Sequence, residues 1–147
     1  MDSPLLLREP PIVPAFTSRL FPNTIALWNE SKLLARLLYK TKNQHRAGLY
    51  YHRMQQVMRV LKCMAREEVY LQACWETGAE YSVNGMELLC AKLKRDCGKA
   101  YILLEHVYSE AYFVPLAVTG MAMLARLHAC ALLVESDLDK TVTRIEI

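Results

Sequence analysis

Two amphipathic patterns of helical period meet out of phase between Lys40 and Gly48, and that mismatch limits the fold more than any other feature of the chain. In the first, Leu27, Leu33, Leu34, Leu37 and Leu38 share one side of a helical wheel, with Lys32, Arg36 and Lys40 as an i, i+4 stripe opposite. In the second, Tyr50, Met54, Val57, Met58, Leu61 and Ala65 share a side, with Arg59, Lys62 and Arg66 opposite. At 100° per residue the second face is turned by roughly 150° from the first, so one continuous helix cannot bury both. The chain must break and reverse. This places Thr41 to Arg46 in a turn or at a helix start, with side chains and amides open to a ligand.

The same reasoning extends along the chain. Prolines at 4, 10, 11, 14 and 22 predict an extended arm over residues 1–23, with Leu5, Leu6, Leu7, Ile12, Val13 and Phe16 available for docking. Asn23 is placed to cap a first helix, and a second is predicted from about Ala47 to Thr77, closed by Gly78. Ser82 or Asn84 starts a third, running to about Tyr112 with Met86, Leu89, Leu93, Ala100, Leu103, Leu104 and Val107 inward. Pro115 restarts the chain into a fourth helix reaching about Glu135, apolar around nearly its whole circumference and therefore expected to be the most buried. Residues 137–147 are read as a polar tail. The expected architecture is an all-α, up-down-up-down four-helix bundle over residues 24–136, a single domain for a chain of 147 residues.

Charge supplies the functional signal. Residues 31 to 66 hold nine of the eighteen Lys and Arg and none of the fifteen Asp and Glu, a net +9 segment in a net −6 remainder. A field of one sign over this length steers phosphate-bearing partners and gains affinity by releasing their counterions. The other reading is a solvated helix face. A polyanion, nucleic acid above all, is the expected partner. Lys40, Lys42, Arg46 and Arg53, with Arg36, are the candidates for phosphates, and Asn43, Gln44 and His45 for sugar or base edges or for fixing the turn. Tyr39 and Tyr51 are the expected base-stacking residues, whereas Tyr50 falls on the core side.

Other chemistries find less support. His45 and His52 with Lys42 form a candidate phosphodiester-cleaving set, but nothing in their spacing fixes two imidazoles across one phosphate. Cys90 and Cys97 are seven apart, and no second pair completes a zinc site with them, His106 or His128. No Gly-rich phosphate loop is present, so no metal, cofactor or small-molecule substrate is expected. Five cysteines, no C-x-x-C pair and no leader pattern at Met1 point to a reducing compartment with thiols packed as small apolar residues. The uncharged stretch 111–125 is read as a core helix, too short for the ~18–20 apolar residues of a membrane span.

The run Leu33-Leu34-Ala35-Arg36-Leu37-Leu38-Tyr39-Lys40-Thr41-Lys42-Asn43-Gln44-His45-Arg46, an aromatic pair and an amphipathic helix after it, resembles the Rmp-type subunit specific to ribonuclease MRP and the related nucleolus and neural progenitor protein family. The likeness extends over residues 24–136, with Lys42–Arg46 as its specific part. The resemblance implies a non-catalytic protein subunit of a nucleolar ribonucleoprotein that processes precursor ribosomal RNA, the cleavage being carried out by RNA. It also implies structured RNA and fellow protein subunits as partners. Two rivals are a helical adaptor for an acidic protein or membrane surface, and a small ribonuclease using His45 and His52.

Overall fold

The computed structural model describes residues 21–145, the side chains of 142–145 excepted. The expected N-terminal arm, apart from Phe21, Pro22 and Asn23, lies outside the described residues. Four helices follow in order: α1 (Thr24–His45), α2 (Leu49–Thr77), α3 (Asn84–Ser109) and α4 (Val114–Ile145). The fold is all-helical, with no strand among the described residues.

Cross-helix bonds fix the directions. The start of α1 meets the far half of α2 through Trp28 and Glu68, and the far end of α4 through Asn23 and Asp137. Lys94, early in α3, meets Glu135, late in α4. Each helix is therefore antiparallel to the next, and α1 closes against α4, with α1 diagonal to α3 and α2 diagonal to α4. This is the up-down-up-down bundle.

The core follows the helical period. Leu27, Leu34 and Leu38 from α1, Met54, Leu61, Met64 and Leu71 from α2, Met86, Leu93 and Leu104 from α3, and Leu124, Leu127 and Leu138 from α4 are all buried. Each such side chain contributes about 1.5–3 kcal/mol on leaving water. Phe21, just ahead of α1, is also fully buried. Gly120 lets α3 and α4 approach closely: a β-carbon there would lie 2.7 Å from Leu104 Cδ1.

Several expectations need correction. Asn23 occupies the N-cap position of α1, but its side chain makes no cap bond. Its Nδ2 and backbone N–H instead donate to the two carboxylate oxygens of Asp137, at 2.8 and 3.0 Å. Gly78 does close α2 with a left-handed φ of 72°, while α3 stops at Ser109. The polar tail is the last part of α4, which runs to Ile145 with Asp137 and Thr141 buried. Nor is α4 buried all round, because in a four-helix square each helix has only two lateral neighbours. Val118, Leu132 and Leu133 are about half exposed. By length and composition alone, Val114–Thr141 is also long and apolar enough to cross a membrane, more than the stretch 111–125 suggests. Cys90, Cys97 and Cys130 are buried free thiols, whereas Cys63 is exposed and Cys74 half-buried.

Candidate nucleic-acid interface

The break between the first two helices is short. Helix α1 continues through His45, Arg46 sits at its C-cap, and α2 begins at Leu49 after Gly48. Lys42–His45 thus form the last turn of a helix and not an open loop. The Arg46 amide donates to the Lys42 carbonyl and the Gly48 amide to the His45 carbonyl. These amides are not free for a ligand as the sequence reading expected. A helix C-terminus also carries partial negative charge, which Lys42 offsets. Any attraction for phosphate here comes from side chains.

The helical continuation has a positive consequence. Tyr39, Lys42, Asn43 and Arg46 are spaced i, i+3, i+4 and i+7, so they form one stripe on α1, and all four are exposed. Arg36, Lys40 and Gln44 form an adjoining exposed row. Tyr39 is 53% exposed and sits one turn before Lys42 and Asn43.

The other two site residues at this end are structural. His45 is buried at 4% exposure, its Nδ1 hydrogen-bonded to the Tyr50 hydroxyl at 2.5 Å. Its ring also stands edge-on to Phe113, with centroids 4.4 Å apart. Burial lowers the His45 pKa from its ordinary value. Gly48 makes the Tyr50 contact possible, since a β-carbon there would fall 2.5 Å from Tyr50 Cε1. Phe113 is in turn presented from the α3–α4 connection by a left-handed backbone, φ 48° at Phe113 and 58° at Ala111. His45 therefore joins the two connections at this end of the bundle. It is withdrawn from the surface and fixes the turn, the second of its two readings, instead of contacting sugar or base edges.

Tyr51 is corrected as well. It is 2% exposed and its hydroxyl donates to the Leu38 carbonyl at 2.9 Å, because α1 packs along that flank of α2. It cannot stack on a base. Tyr50, half-buried, is the more exposed of the pair. His52 is exposed while His45 points inward, so the two imidazoles occupy different environments.

Arg53 leaves the α1 stripe and lines a groove between α2 and α3, its Nη1 donating to Gln56 Oε1 at 3.1 Å. The groove has a volume of about 390 Å³. Arg59 joins Arg53 on the α2 wall, and α3 supplies Lys92, Arg95 and Lys99. One carboxylate, Asp96, lies at its floor. The three α3 cations escaped the sequence reading because they stand in the net-negative part of the chain. Their signal was the spacing Lys92, Arg95 and Lys99, which repeats at helical period.

Pairing separates these cations from the rest. Lys94 bridges to Glu135 and Arg126 to Glu30, both at 2.8 Å. Among the described residues, none of the nine Lys and Arg between 31 and 66 forms an ion pair, and all but Arg53 are exposed. No three His, Cys, Asp or Glu side chains gather as a metal site among the described residues. Burial pushes the thiols of Cys90 and Cys97 up to about 12, which keeps them protonated and poorly nucleophilic. No family model matches this chain, and neither a curated protein nor a solved structure matches it.

Proposed function

We propose that the chain is a non-catalytic RNA-binding subunit of a ribonucleoprotein resembling RNase MRP, acting in the nucleolus on precursor ribosomal RNA. The observation that carries RNA binding is the exposed, unneutralised set of cations between residues 31 and 66. An isolated protein surface gains nothing from concentrating like charges, whereas a phosphate backbone supplies the missing counter-charge. Arg36, Lys40, Lys42, Arg46 and Arg53 hold phosphates. Asn43 and Gln44 reach sugar or base edges, and Tyr39 stacks. The narrower assignment to an RNase MRP-like particle rests on the resemblance over Leu33–Arg46. Protein subunits of the particle would dock on apolar surface away from the cations, such as the exposed side of α4 at Val118, Leu132 and Leu133.

The experiment is a pull-down of the tagged chain from cell extract, with sequencing of bound RNA and identification of bound proteins. Recovery of one structured RNA with a set of protein subunits, lost in the Lys42→Ala/Arg46→Ala variant, is the expected result. Recovery of acidic proteins or anionic lipid without RNA would favour the adaptor reading instead.

A further inference from the structure

The nine-cation segment does not account for all the unpaired positive charge. On α3, the flank facing α4 has its lysine neutralised by the Lys94–Glu135 bridge. The flank facing α2 presents Lys92, Arg95 and Lys99, none in an ion pair among the described residues. Opposite them stand Arg53 and Arg59. Five cations thus face one another across a groove holding a single carboxylate, Asp96, which is buried to 8% exposure. Apolar Val60 and Leu89 lie between the walls. Packing two helices needs no such arrangement. Like charges on facing walls repel, and nothing in the helical period obliges α3 to place its cations toward α2.

We infer that the α2–α3 groove is a second RNA contact, a channel that holds consecutive phosphates of one strand between Arg53 and Arg59 on one wall and Lys92, Arg95 and Lys99 on the other. The inference rests on the RNA-binding reading above and adds a surface to it. The dimensions suit this ligand. Residues 53 to 59 and 92 to 99 each advance about 10 Å at 1.5 Å per residue. Consecutive phosphates of a strand lie further apart than the ~3.4 Å of axial rise that each contributes to a duplex, so about two lie within reach. Arg53 is held along its wall by Gln56, which leaves the remainder of its guanidinium for a phosphate oxygen. The cations are spread over two helices, as a backbone requires and a compact single anion does not.

The test uses the full chain with the Lys92→Glu/Lys99→Glu double variant, both positions being exposed. Lys140→Glu, an exposed cation on α4, serves as the control. The probe is a fluorescently labelled RNA stem-loop with a single-stranded extension, followed by anisotropy at about 0.1 M salt. The expected result is a loss of tenfold or more in affinity for the groove variant and little change for the control. In parallel, RNA crosslinked to wild-type protein should be found by mass spectrometry on peptides containing Lys92 to Lys99, which needs no variant to fold. Unchanged affinity in the groove variant, with loss in Lys42→Ala/Arg46→Ala and no crosslink on α3, would overturn the groove and leave the proposed function intact. Wild-type protein that binds no RNA would overturn both. A groove variant that loses binding to anionic vesicles while keeping its RNA affinity would also overturn the assignment.

Discussion

The Tyr50 hydroxyl reaches back over Gly48 to the buried Nδ1 of His45, and Phe113 closes the same imidazole from the α3–α4 connection. A residue at the centre of the most distinctive stretch of the sequence is thereby part of the scaffold, while its neighbours Lys42, Asn43 and Arg46 face solvent. The stretch combines two tasks. His45, Gly48 and Tyr50 set where α1 ends, and that end decides where the exposed side chains point.

The buried imidazole makes stability depend on pH. Its folded-state pKa lies below the unfolded value of about 6.5, so the unfolded chain takes up this proton first as pH falls. The contribution is complete above about 6.5 and is lost between there and the lowered folded value. Melting of wild-type protein between pH 7 and pH 5 should fall more steeply than that of His45→Gln. Parallel curves would show that His45 does not carry this dependence.

Gly48 and Tyr50 should behave as one unit. Tyr50→Phe removes the bond to His45, a loss of about 0.5–1.5 kcal/mol. Gly48→Ala forces the ring aside, since the new β-carbon would sit within 3 Å of Tyr50 Cε1 and Cζ. Chemical denaturation of both single variants and the double should give a double-variant loss smaller than the sum. Strict additivity would contradict the contact.

Arg126 is exposed at its guanidinium, but its partner Glu30 is 7% exposed at the side chain, and Glu30 Oε2 has no hydrogen-bond partner among the described residues. Arg126→Ala would leave a carboxylate between α1 and α4 without its cation. The expected loss exceeds the ~0.2–1 kcal/mol of exposed pairs, and Glu30→Gln in the same chain should recover part of it. Urea unfolding measures both.

Gly120 lies against Leu104 in the tightest part of the α3–α4 contact. Gly120→Leu should destabilise by about 1–3 kcal/mol through overpacking. Gly120→Ala should cost much less, because the terminal methyl of Leu104 can move and alanine favours the helix by about 1 kcal/mol over glycine. Equal melting temperatures for the leucine variant and wild type would contradict the packing described.

Much of the fold was legible because helical period and glycine placement act locally. The phase conflict around Lys40–Gly48 required a break, and Gly78 marked a helix end because glycine alone enters the left-handed cap conformation without strain. Other features depend on which neighbour covers which flank. Tyr50 and Tyr51 are one residue apart, and single-helix periodicity placed only Tyr50 on the core side, where it packs half-buried. Tyr51 is buried because α1 runs along its side and offers the Leu38 carbonyl. The buried polar groups were equally hidden. Trp28 Nε1 and Thr24 Oγ1 both bond to Glu68, at 2.6 and 2.5 Å, across about forty residues of sequence. The α2–α3 groove escaped because its two walls lie in segments of opposite net charge.

Binding without catalysis has its own check. Purified chain incubated with labelled RNA in the absence of metal should leave it intact, and His52→Ala should change RNA affinity little, since one neutral hydrogen bond is worth about 0.5–1.5 kcal/mol. Cleavage that disappears in His52→Ala while affinity persists would instead favour the nuclease, for which losses of ~10²–10⁴-fold in rate are expected.

The central claim is that exposed cations of this bundle hold an RNA backbone, and the salt dependence of binding tests it most directly. The affinity of the full chain for a labelled structured RNA should fall with salt at a log–log slope of about −3 to −4 for four or five phosphates, at ~0.7 per phosphate on single strands. Lys42→Ala/Arg46→Ala should reduce the slope by about 1 to 1.5 on the same scale. A slope near zero, or one unchanged in that variant, would contradict the account.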